Sequence, residues 1–226
     1  GRGVRPVSGS CRSMIVPDLR KFLTSGSDKK PVLVVLLGPN GAGKTTFFEL
    51  FIAPSGLPFV NADIIAKELA EKGKPVADYE AAQLAEQKRQ EYVSEKRSFC
   101  METVFSDAAG SKRTFFKDAQ AKGYAVLLVF IGLNHVETSR SRVAQRVSAG
   151  GHNVPDRKID GRFPRTFDNL QKAIHFVDRA FLFDNSSFAE PYRPVAMYVA
   201  GEPRQLFPPL PPWAHFILPK PLIRKK

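Results

Sequence analysis

The chain has 226 residues, of which 43% are hydrophobic and 25% are charged, and its formal net charge at pH 7 is +12. These fractions are typical of an ordinary globular domain, and no apolar run reaches the roughly 18 residues of a membrane helix, which argues against a disordered or membrane-spanning protein. The two cysteines, Cys11 and Cys100, lie far apart without metal-ligand spacing, which argues against a disulfide framework or a zinc site and fits a cytoplasmic location.

The chain has an excess of basic residues. A positive balance favours polyanion binding, because clustered lysines and arginines attract phosphate at long range. Part of this charge lies at the two ends of the chain, in Arg2, Arg5, Arg12, Arg224, Lys225 and Lys226. Residues 1–13 precede the first methionine and lack a signal-peptide core, so we interpret them as a leader outside the fold. The folded domain is predicted to begin at Met14.

Apolar runs of strand type alternate with helical patterns along the rest of the chain. The strand candidates are residues 31–37, 57–63, 98–105, 124–133, 180–186 and 195–201. Several are apolar at consecutive positions, as expected for strands buried on both faces. The clearest helical patterns cover residues 78–97 and the segment from Asn134, a predicted N-cap, to the glycine pair at 150–151. The alternation predicts an α/β fold: a mostly parallel sheet with helices on both faces and ligands at the carboxyl ends of the strands.

A glycine-rich loop follows the first predicted strand and opens a helix. Residues 38–45 complete the pattern G-x-x-x-x-G-K-[ST]. In such a loop the backbone N–H groups surround an anion, Lys44 reaches the β and γ phosphates, and Thr45 supplies a hydroxyl to Mg²⁺. The helix N-terminus adds a favourable dipole. We therefore predict that ATP and Mg²⁺ are the cofactors and that the nucleotide is bound by Gly38, Pro39, Asn40, Gly41, Ala42, Gly43, Lys44, Thr45 and Thr46, with Thr45 as the metal ligand.

Nucleotide binding does not by itself establish catalysis. ATPases and GTPase switches usually add an apolar strand that ends in a Mg²⁺-binding Asp, whereas the most apolar strand, 124–133, ends without a carboxylate. That difference favours a small P-loop kinase, in which catalysis consists of positioning and of neutralising the charge on the transferring phosphoryl group. Such a kinase requires an acceptor site with a base and a lid that carries arginines.

Polar residues follow the second and third predicted strands, where an acceptor would bind. Asn61 and Asp63 lie after the second strand, and Asp63 could take the proton from an acceptor hydroxyl. Either residue could instead cap the following helix. Glu102, Thr103 and Ser106 end the third strand and are either on the rim of the ligand site or solvated strand-end groups.

Arginines are concentrated across a helix end and a glycine-containing loop. They are Arg142, Arg146, Arg157, Arg162 and Arg165. On helices such residues most often form a solvated face. Here they flank the kind of hinged segment that closes over ATP, which favours Arg146 and Arg162 as cations of a helical lid.

Residues 205–226 follow as a proline-rich, basic tail that we expect to wrap the surface or to lack order. The kinase domain is thus predicted to span residues 14–204.

Taken together, these motifs resemble the zeta toxin family of P-loop kinases. The matching segments are GPNGAGKTTF, VNAD, METVFS, RVSAGGHNVP, RFPRTFDNL and FDNSS, in the family's order over about residues 31–187. The resemblance implies a P-loop NTPase-type fold with a helical lid and ATP-dependent phosphorylation of a sugar hydroxyl, with the 3′-OH of UDP-N-acetylglucosamine as the leading acceptor. An antitoxin, where one is present, would be a separate chain.

The resemblance also implies roles for individual residues. Lys44 corresponds to the P-loop lysine, Asp63 to the catalytic base, and Arg146 and Arg162 to phosphate-binding lid residues. Acceptor contacts are assigned to Asn61, Asp63, Glu102, Thr103, Ser106 and Arg165. The lid loop differs from that of the best-studied toxins, so it stays open which of Arg142, Arg157 and Arg165 join the lid.

Two alternatives remain open at the level of sequence. One is a kinase for a different nucleotide, an antibiotic or a nucleic-acid hydroxyl, the last suggested by the basic balance. The other is a protein that binds RNA or DNA and uses a nucleotide only as a switch. Salt dependence distinguishes the RNA or DNA binder from a sugar-nucleotide kinase, because phosphate contacts to nucleic acid weaken steeply as salt rises, whereas the kinase should be only weakly affected.

Overall fold

The structure is a computed structural model that describes Leu19, residues 30–151 and residues 153–218. The predicted leader (1–13), the predicted domain start at Met14 and the last residues of the predicted tail (219–226) lie outside the described residues.

Within the described residues, seven strands form one sheet. They are β1 (Val32–Leu37), β2 (Phe59–Val60), β3 (Phe99–Thr103), β4 (Ala125–Gly132), β5 (Arg179–Asp184), β6 (Arg193–Val199) and β7 (Glu202–Leu206). Their order is β2-β3-β1-β4-β5-β6-β7; the first five pair in parallel, and β6 and β7 pair antiparallel. β1 and β4 are buried along their whole length, as expected when helices cover both faces. The predicted mostly parallel P-loop NTPase-type sheet is confirmed.

The helices connect the strands and cover the two faces of the sheet. They are α1 (Lys44–Phe47), α2 (Ala62–Glu71), α3 (Asp78–Ser94), α4 (Ser111–Ala121), α5 (Val136–Ser148), α6 (Asp156–Ala173) and α7 (Ala214–Ile217). α1 continues through a π-helical turn (Phe48–Ile52) and a 3-10 turn (Ala53–Ser55). Since α5 and α6 are consecutive and joined by an Arg140–Asp160 ion pair of 2.6 Å, we call them the α5–α6 pair.

One predicted helix boundary is wrong. Asn134 is not the N-cap of α5; the cap position is His135, which makes no side-chain capping hydrogen bond. The backbone N–H of Asn134 donates to Ser186 Oγ at 2.9 Å. This bond ties Asn134 to the end of β5, so the helix begins after it.

The core has two parts, one on each face of the sheet, and β1 shows why. Leu33, Val35 and Leu37 belong to the cluster under α3, α4 and α6. Val34 and Leu36 belong to the cluster that includes the α1 region on the opposite face. Because side chains alternate along a strand, one continuous apolar run serves both clusters.

The segment after residue 204 corrects the expectation of a surface or disordered tail, at least to residue 218. β7 crosses the predicted boundary at 204, and Trp213, Ala214, Ile217 and Leu218 are buried in the larger core cluster. Trp213 is 2% exposed. Prolines interrupt regular structure in this segment. The apolar side chains after them still pack into the core. In the part of the chain that the structure describes, no helix has the length and apolarity to cross a bilayer.

Candidate active site

The loop between β1 and α1 follows a path that requires glycine. Gly41 and Gly43 have φ of +69° and +87°, in the left-handed region. A Cβ on Gly38 would lie 2.2 Å from the carbonyl oxygen of Ile131, and one on Gly43 would lie 2.8 Å from Nδ2 of Asn185. The glycines of the sequence motif therefore allow the loop to pack closely against the ends of β4 and β5.

Lys44 is buried at the inner wall of this loop. Its Nζ donates to the carbonyl oxygens of Gly38 and Pro39, both at 3.0 Å, and lies 3.7 Å from Oε1 of Glu102. Burial lowers the pKa of Lys44; the Glu102 carboxylate opposes this shift and the charge of Arg146 adds to it. The ammonium group is thus held against the loop by acceptors on two sides.

Glu102, near the end of β3, organises the polar groups of three neighbouring strands. Its Oε2 accepts hydrogen bonds from Thr45 Oγ1 at 3.0 Å and from Asn61 Nδ2 at 2.7 Å. Asn61 Oδ1 accepts from the backbone N–H groups of Asp63 and Ile64 and so caps α2. The capping role therefore belongs to Asn61, and the carboxylate of Asp63 is not needed for it.

The oxygen atoms of Thr45 and Glu102 also fit a magnesium site. A hydroxyl and a carboxylate are the hard ligands that Mg²⁺ takes when the remaining positions are filled by phosphate and water. The described residues contain no group of three or more His, Cys, Asp or Glu that could hold a metal ion by itself. The donor set thus suits an ion bound together with a nucleotide.

A cavity of about 260 Å³ lies over the loop. It is lined by Asn40, Gly41, Gly43, Lys44, Thr45, Thr46, Asp63, Glu102, Val104, Arg142 and Arg146. Three cations face it, Lys44 from the loop and Arg142 and Arg146 from α5. Two carboxylates also line it, Asp63 from the first turn of α2 and Glu102 from β3. The cations suit a polyphosphate, and the carboxylates lie where a hydroxyl acceptor could reach them.

Several predicted site residues do not line this cavity. Thr103 uses its Oγ1 to accept the backbone N–H of Phe105 at 3.0 Å. Arg165 donates from Nε to the carbonyl oxygen of Ser106 at 3.0 Å. Arg162 lies on the first half of α6 and is not among the lining residues. These three residues therefore do not form the wall of the cavity.

Helix α6 fixes the loop that follows β3. Thr166 Oγ1 donates to the carbonyl oxygen of Val104 at 2.8 Å, and Asn169 Nδ2 donates to those of Phe105 and Asp107 at 2.9 and 3.0 Å. Phe105 has φ of +60°, which is unfavourable for a bulky residue. The motif RFPRTFDNL therefore holds a strained loop beside the cavity, a role that its arginines did not indicate.

Further residues that hold the site were missed by sequence reasoning. Asn185 Nδ2 donates to the carbonyl oxygen of Ala42 at 2.8 Å, Tyr192 OH donates to that of Gly43 at 2.9 Å, and Ser139 Oγ donates to that of Asn40 at 2.5 Å. The segment FDNSS contains Asn185 but by itself indicated no role. Tyr192 and Ser139 gave no local signal in the sequence, because each bonds to a backbone carbonyl that is distant in sequence.

A second cavity, of about 280 Å³, adjoins the loop on the other side of Arg142. It is lined by Gly41, Gly43, Thr46, Leu50, Arg142, Asn185, Ser187, Phe188, Pro191 and Tyr192. The Arg142 guanidinium lies 4.7 Å from the centroid of the Phe188 ring, and that ring is 80% exposed. Burial lowers the pKa of Arg142, and nearby Tyr192 and Asp184 oppose that shift. The planar guanidinium of Arg142 and the exposed Phe188 ring are the kind of surfaces on which a planar heteroaromatic group stacks.

The parallel sheet, the glycine loop after β1 and the cationic cavity over that loop define a P-loop kinase. The model of the zeta toxin family matches residues 19–202. The match covers most of the chain, so the chain belongs to the zeta toxin family, whose members are ATP-dependent kinases.

Comparisons with individual proteins are consistent with this membership. A protein of Haemophilus influenzae described as uncharacterized is 29% identical over 126 residues, which is 56% of this chain and 88% of that protein. The AvrRxo1-ORF1:ORF2 complex with ATP has a chain with a TM-score of 0.63 and 20% identity, covering 90% of this chain and 76% of that chain. A chain of the PezAT toxin-antitoxin system of Streptococcus pneumoniae has a TM-score of 0.51 and 19% identity, covering 79% and 78%. At these identities the two structural likenesses show a shared fold.

Proposed function

We propose that this protein transfers the γ-phosphoryl group of ATP to a sugar hydroxyl, with the 3′-OH of UDP-N-acetylglucosamine as the acceptor. The observation that carries the proposal is the meeting of Lys44, Arg146, Asp63 and Glu102 in one cavity over the loop. Phosphoryl transfer needs cations around the phosphate and a base beside the attacking hydroxyl, and this cavity supplies both.

Each of these side chains has a distinct role in the proposal. Asp63, exposed at the start of α2, accepts the proton of the acceptor hydroxyl. Lys44 and Arg146 stabilise the negative charge on the transferring group. Thr45 and Glu102 would hold a Mg²⁺ ion beside the phosphates, and such an ion would add to the neutralisation of their charge. Thr103, Ser106 and Arg165 support the acceptor side through the loop after β3.

The nucleotide base would occupy the second cavity. Phosphates bound by the loop lie next to Gly41, Gly43 and Thr46, which line both cavities. The base would then reach Arg142 and Phe188, whose guanidinium and ring offer stacking surfaces. This placement leaves the Asp63 side of the first cavity for the acceptor.

A protein partner and a cytoplasmic location belong to the same proposal. The structures with the similar fold include a toxin-antitoxin system and a two-protein complex, so an antitoxin on a separate chain is a candidate partner. ATP as the substrate fits a cytoplasmic location.

The decisive experiment incubates the protein with Mg-ATP and a panel of UDP-sugars, nucleosides and RNA ends. We expect UDP-N-acetylglucosamine to gain one phosphoryl group by mass spectrometry. Lys44→Ala should abolish Mg-ATP binding while the fold is kept, because its ammonium group faces the loop. A different phosphorylated acceptor would correct the substrate; ATP binding unchanged in Lys44→Ala would remove the loop from the proposal.

A further inference from the structure

The end of β5 is a junction of buried hydrogen bonds. Asp184 is 5% exposed. Its Oδ1 accepts from Ser186 Oγ at 2.7 Å and from Trp213 Nε1 at 2.9 Å, and its Oδ2 lies 3.6 Å from Nη2 of Arg193. A buried carboxylate needs such partners, because an unpaired one is costly. Trp213 is the partner that comes from the C-terminal segment.

The two residues after Asp184 connect this junction to the nucleotide site. Asn185 donates to the carbonyl oxygen of Ala42 in the phosphate loop, and Ser186 Oγ accepts the backbone N–H of Asn134, just before α5. α5 in turn carries Arg142 and Arg146. Residues 184–186 therefore tie both the loop and the cationic helix to one short segment.

Trp213 packs against β4 and α6 beside that segment. A Cβ on Gly132, at the end of β4, would lie 2.5 Å from Cε2 of Trp213, so the indole occupies the space beside this glycine. The Trp213 ring also contacts Phe130 of β4 and Phe167 of α6, with centroid distances of 5.2 and 6.0 Å. Trp213 lies beyond residues 19–202, the part that matches the family model.

We propose that Trp213 is a positioning residue for the nucleotide site: its indole N–H fixes Asp184, and Asp184 fixes the segment that holds the phosphate loop and α5. The C-terminal segment is then a part of the site that the family-matched region does not include. This inference rests on the proposed function only in that Mg-ATP is the nucleotide.

A purely structural role for Trp213 is the competing explanation, since any buried tryptophan stabilises a core. The two explanations differ in what happens at the loop. A structural role lowers the melting temperature and leaves the affinity of the folded protein unchanged. If Trp213 has a positioning role, its loss also weakens Mg-ATP binding by the folded protein, because the segment that holds the phosphate loop and α5 is no longer fixed.

The test variant is Trp213→Phe, which keeps an aromatic ring but removes the N–H donor. Its matched control is Tyr124→Phe. Tyr124 is also buried, and its OH donates to the carbonyl oxygens of Tyr92 and Arg97 at 2.7 and 2.9 Å, at the amino end of β4, away from the loop. Both variants lose buried hydrogen bonds, but only one loss lies next to the nucleotide site.

Calorimetric titration with Mg-ATP should give a Kd that is weaker by about 2- to 30-fold in Trp213→Phe and unchanged in Tyr124→Phe, as expected for a change that acts through a hydrogen-bond network. Ser186→Ala breaks the same connection outside the core, so it tests the proposal if Trp213→Phe fails to fold. It should weaken binding as well, and the double variant should lose less than the two single effects combined.

A second measurement does not depend on the ligand. Amide hydrogen exchange of the protein without ATP should be faster in residues 38–46 and 134–142 of Trp213→Phe and Ser186→Ala than in Tyr124→Phe. Equal exchange there, with equal Kd values, would overturn the positioning role. A wild-type protein that binds no Mg-ATP would overturn the proposed function, and the exchange comparison would still decide the role of Trp213.

Discussion

At the scale of single residues, two neighbouring polar side chains after β2, Asn61 and Asp63, differ in what they do. Asn61 and Asp63 are both compatible with a helix cap in sequence, and the structure assigns the cap to Asn61. Asn61 also donates to Glu102, so it orients a carboxylate of the cavity. Asp63 is left exposed toward the same cavity. Its carboxylate is therefore available for chemistry.

Asp63→Asn separates the two roles. Because Asn61 supplies the cap, and because the helix dipole acts weakly on exposed side chains, the melting temperature should change little. Loss of the proposed base should lower phosphoryl transfer by about 10²- to 10⁴-fold, while Mg-ATP still binds to the loop. Thermal melts beside a transfer assay measure both effects.

Asp78→Asn is the control, because it removes an acidic residue from the first turn of α3, a helix that contributes no residue to the cavity. Transfer should continue at the wild-type rate in this variant. If Asp63→Asn also transferred at that rate, Asp63 would not be the base.

At the scale of elements, the α5–α6 pair carries the arginines that the sequence analysis identified as lid candidates. Only some of them face the cavity. Arg146 and Arg142, one turn apart on α5, face the cavity. Arg165 donates a hydrogen bond to the loop after β3. Arg162 lies on α6 and does not line the cavity. The helical pattern from Asn134 predicted α5, but the segment that follows was interpreted as a glycine-containing loop and forms most of α6 instead. The direction of each arginine depends on the packing of α5 against the phosphate loop. That packing involves Ser139 and the Asn40 carbonyl, which no local pattern contains.

Arginines on the two helices should differ in how they affect turnover. Arg146→Ala should lower kcat by about 10²- to 10³-fold with little change in the acceptor KM, as expected for a cation that acts in the transition state. We expect Arg162→Ala to lower kcat as well, although Arg162 does not line the cavity here; such an effect would require the α5–α6 pair to move toward bound ATP. Steady-state kinetics with the phosphorylated product as readout measures both.

Lys158→Ala, an exposed cation on α6 one turn before Arg162, is the matched control and should keep wild-type kinetics. A raised acceptor KM with unchanged kcat in either arginine variant would reassign that arginine to acceptor binding.

At the scale of the whole molecule, the sequence predicted the parallel sheet and the position of the nucleotide loop, since both follow from local patterns. Apolar runs indicated β1 and β4, and the glycine motif placed the loop at the end of β1. The C-terminal segment was not predictable in the same way. Its prolines indicate irregular backbone, but the burial of Trp213 depends on Asp184, Gly132 and α6, which are distant in sequence.

The net charge of the whole chain leads to a prediction that separates the kinase from a nucleic-acid binder. A protein that neutralises six to ten phosphates loses roughly 10³- to 10⁵-fold in affinity between 50 and 200 mM salt. A sugar nucleotide lacks the condensed counterions of a nucleic acid, and the cavity has three facing cations, Lys44, Arg142 and Arg146, so the KM for such an acceptor should change far less than this over that range. Activity assays at several salt concentrations, with an RNA oligonucleotide as the comparison acceptor, measure this. Preferential phosphorylation of the RNA end, with a steep salt dependence, would favour the alternative acceptor.

The contact between Gly132 and Trp213 also constrains how this protein can diverge. A side chain at position 132 would meet the indole at 2.5 Å, so no residue larger than glycine is compatible with Trp213 in its present place. A homologue that lacked the C-terminal segment would instead have an empty groove beside position 132, which a small side chain such as alanine could fill. The two positions should therefore be inherited as a pair, with glycine at 132 marking those relatives whose C-terminal segment packs against the nucleotide site.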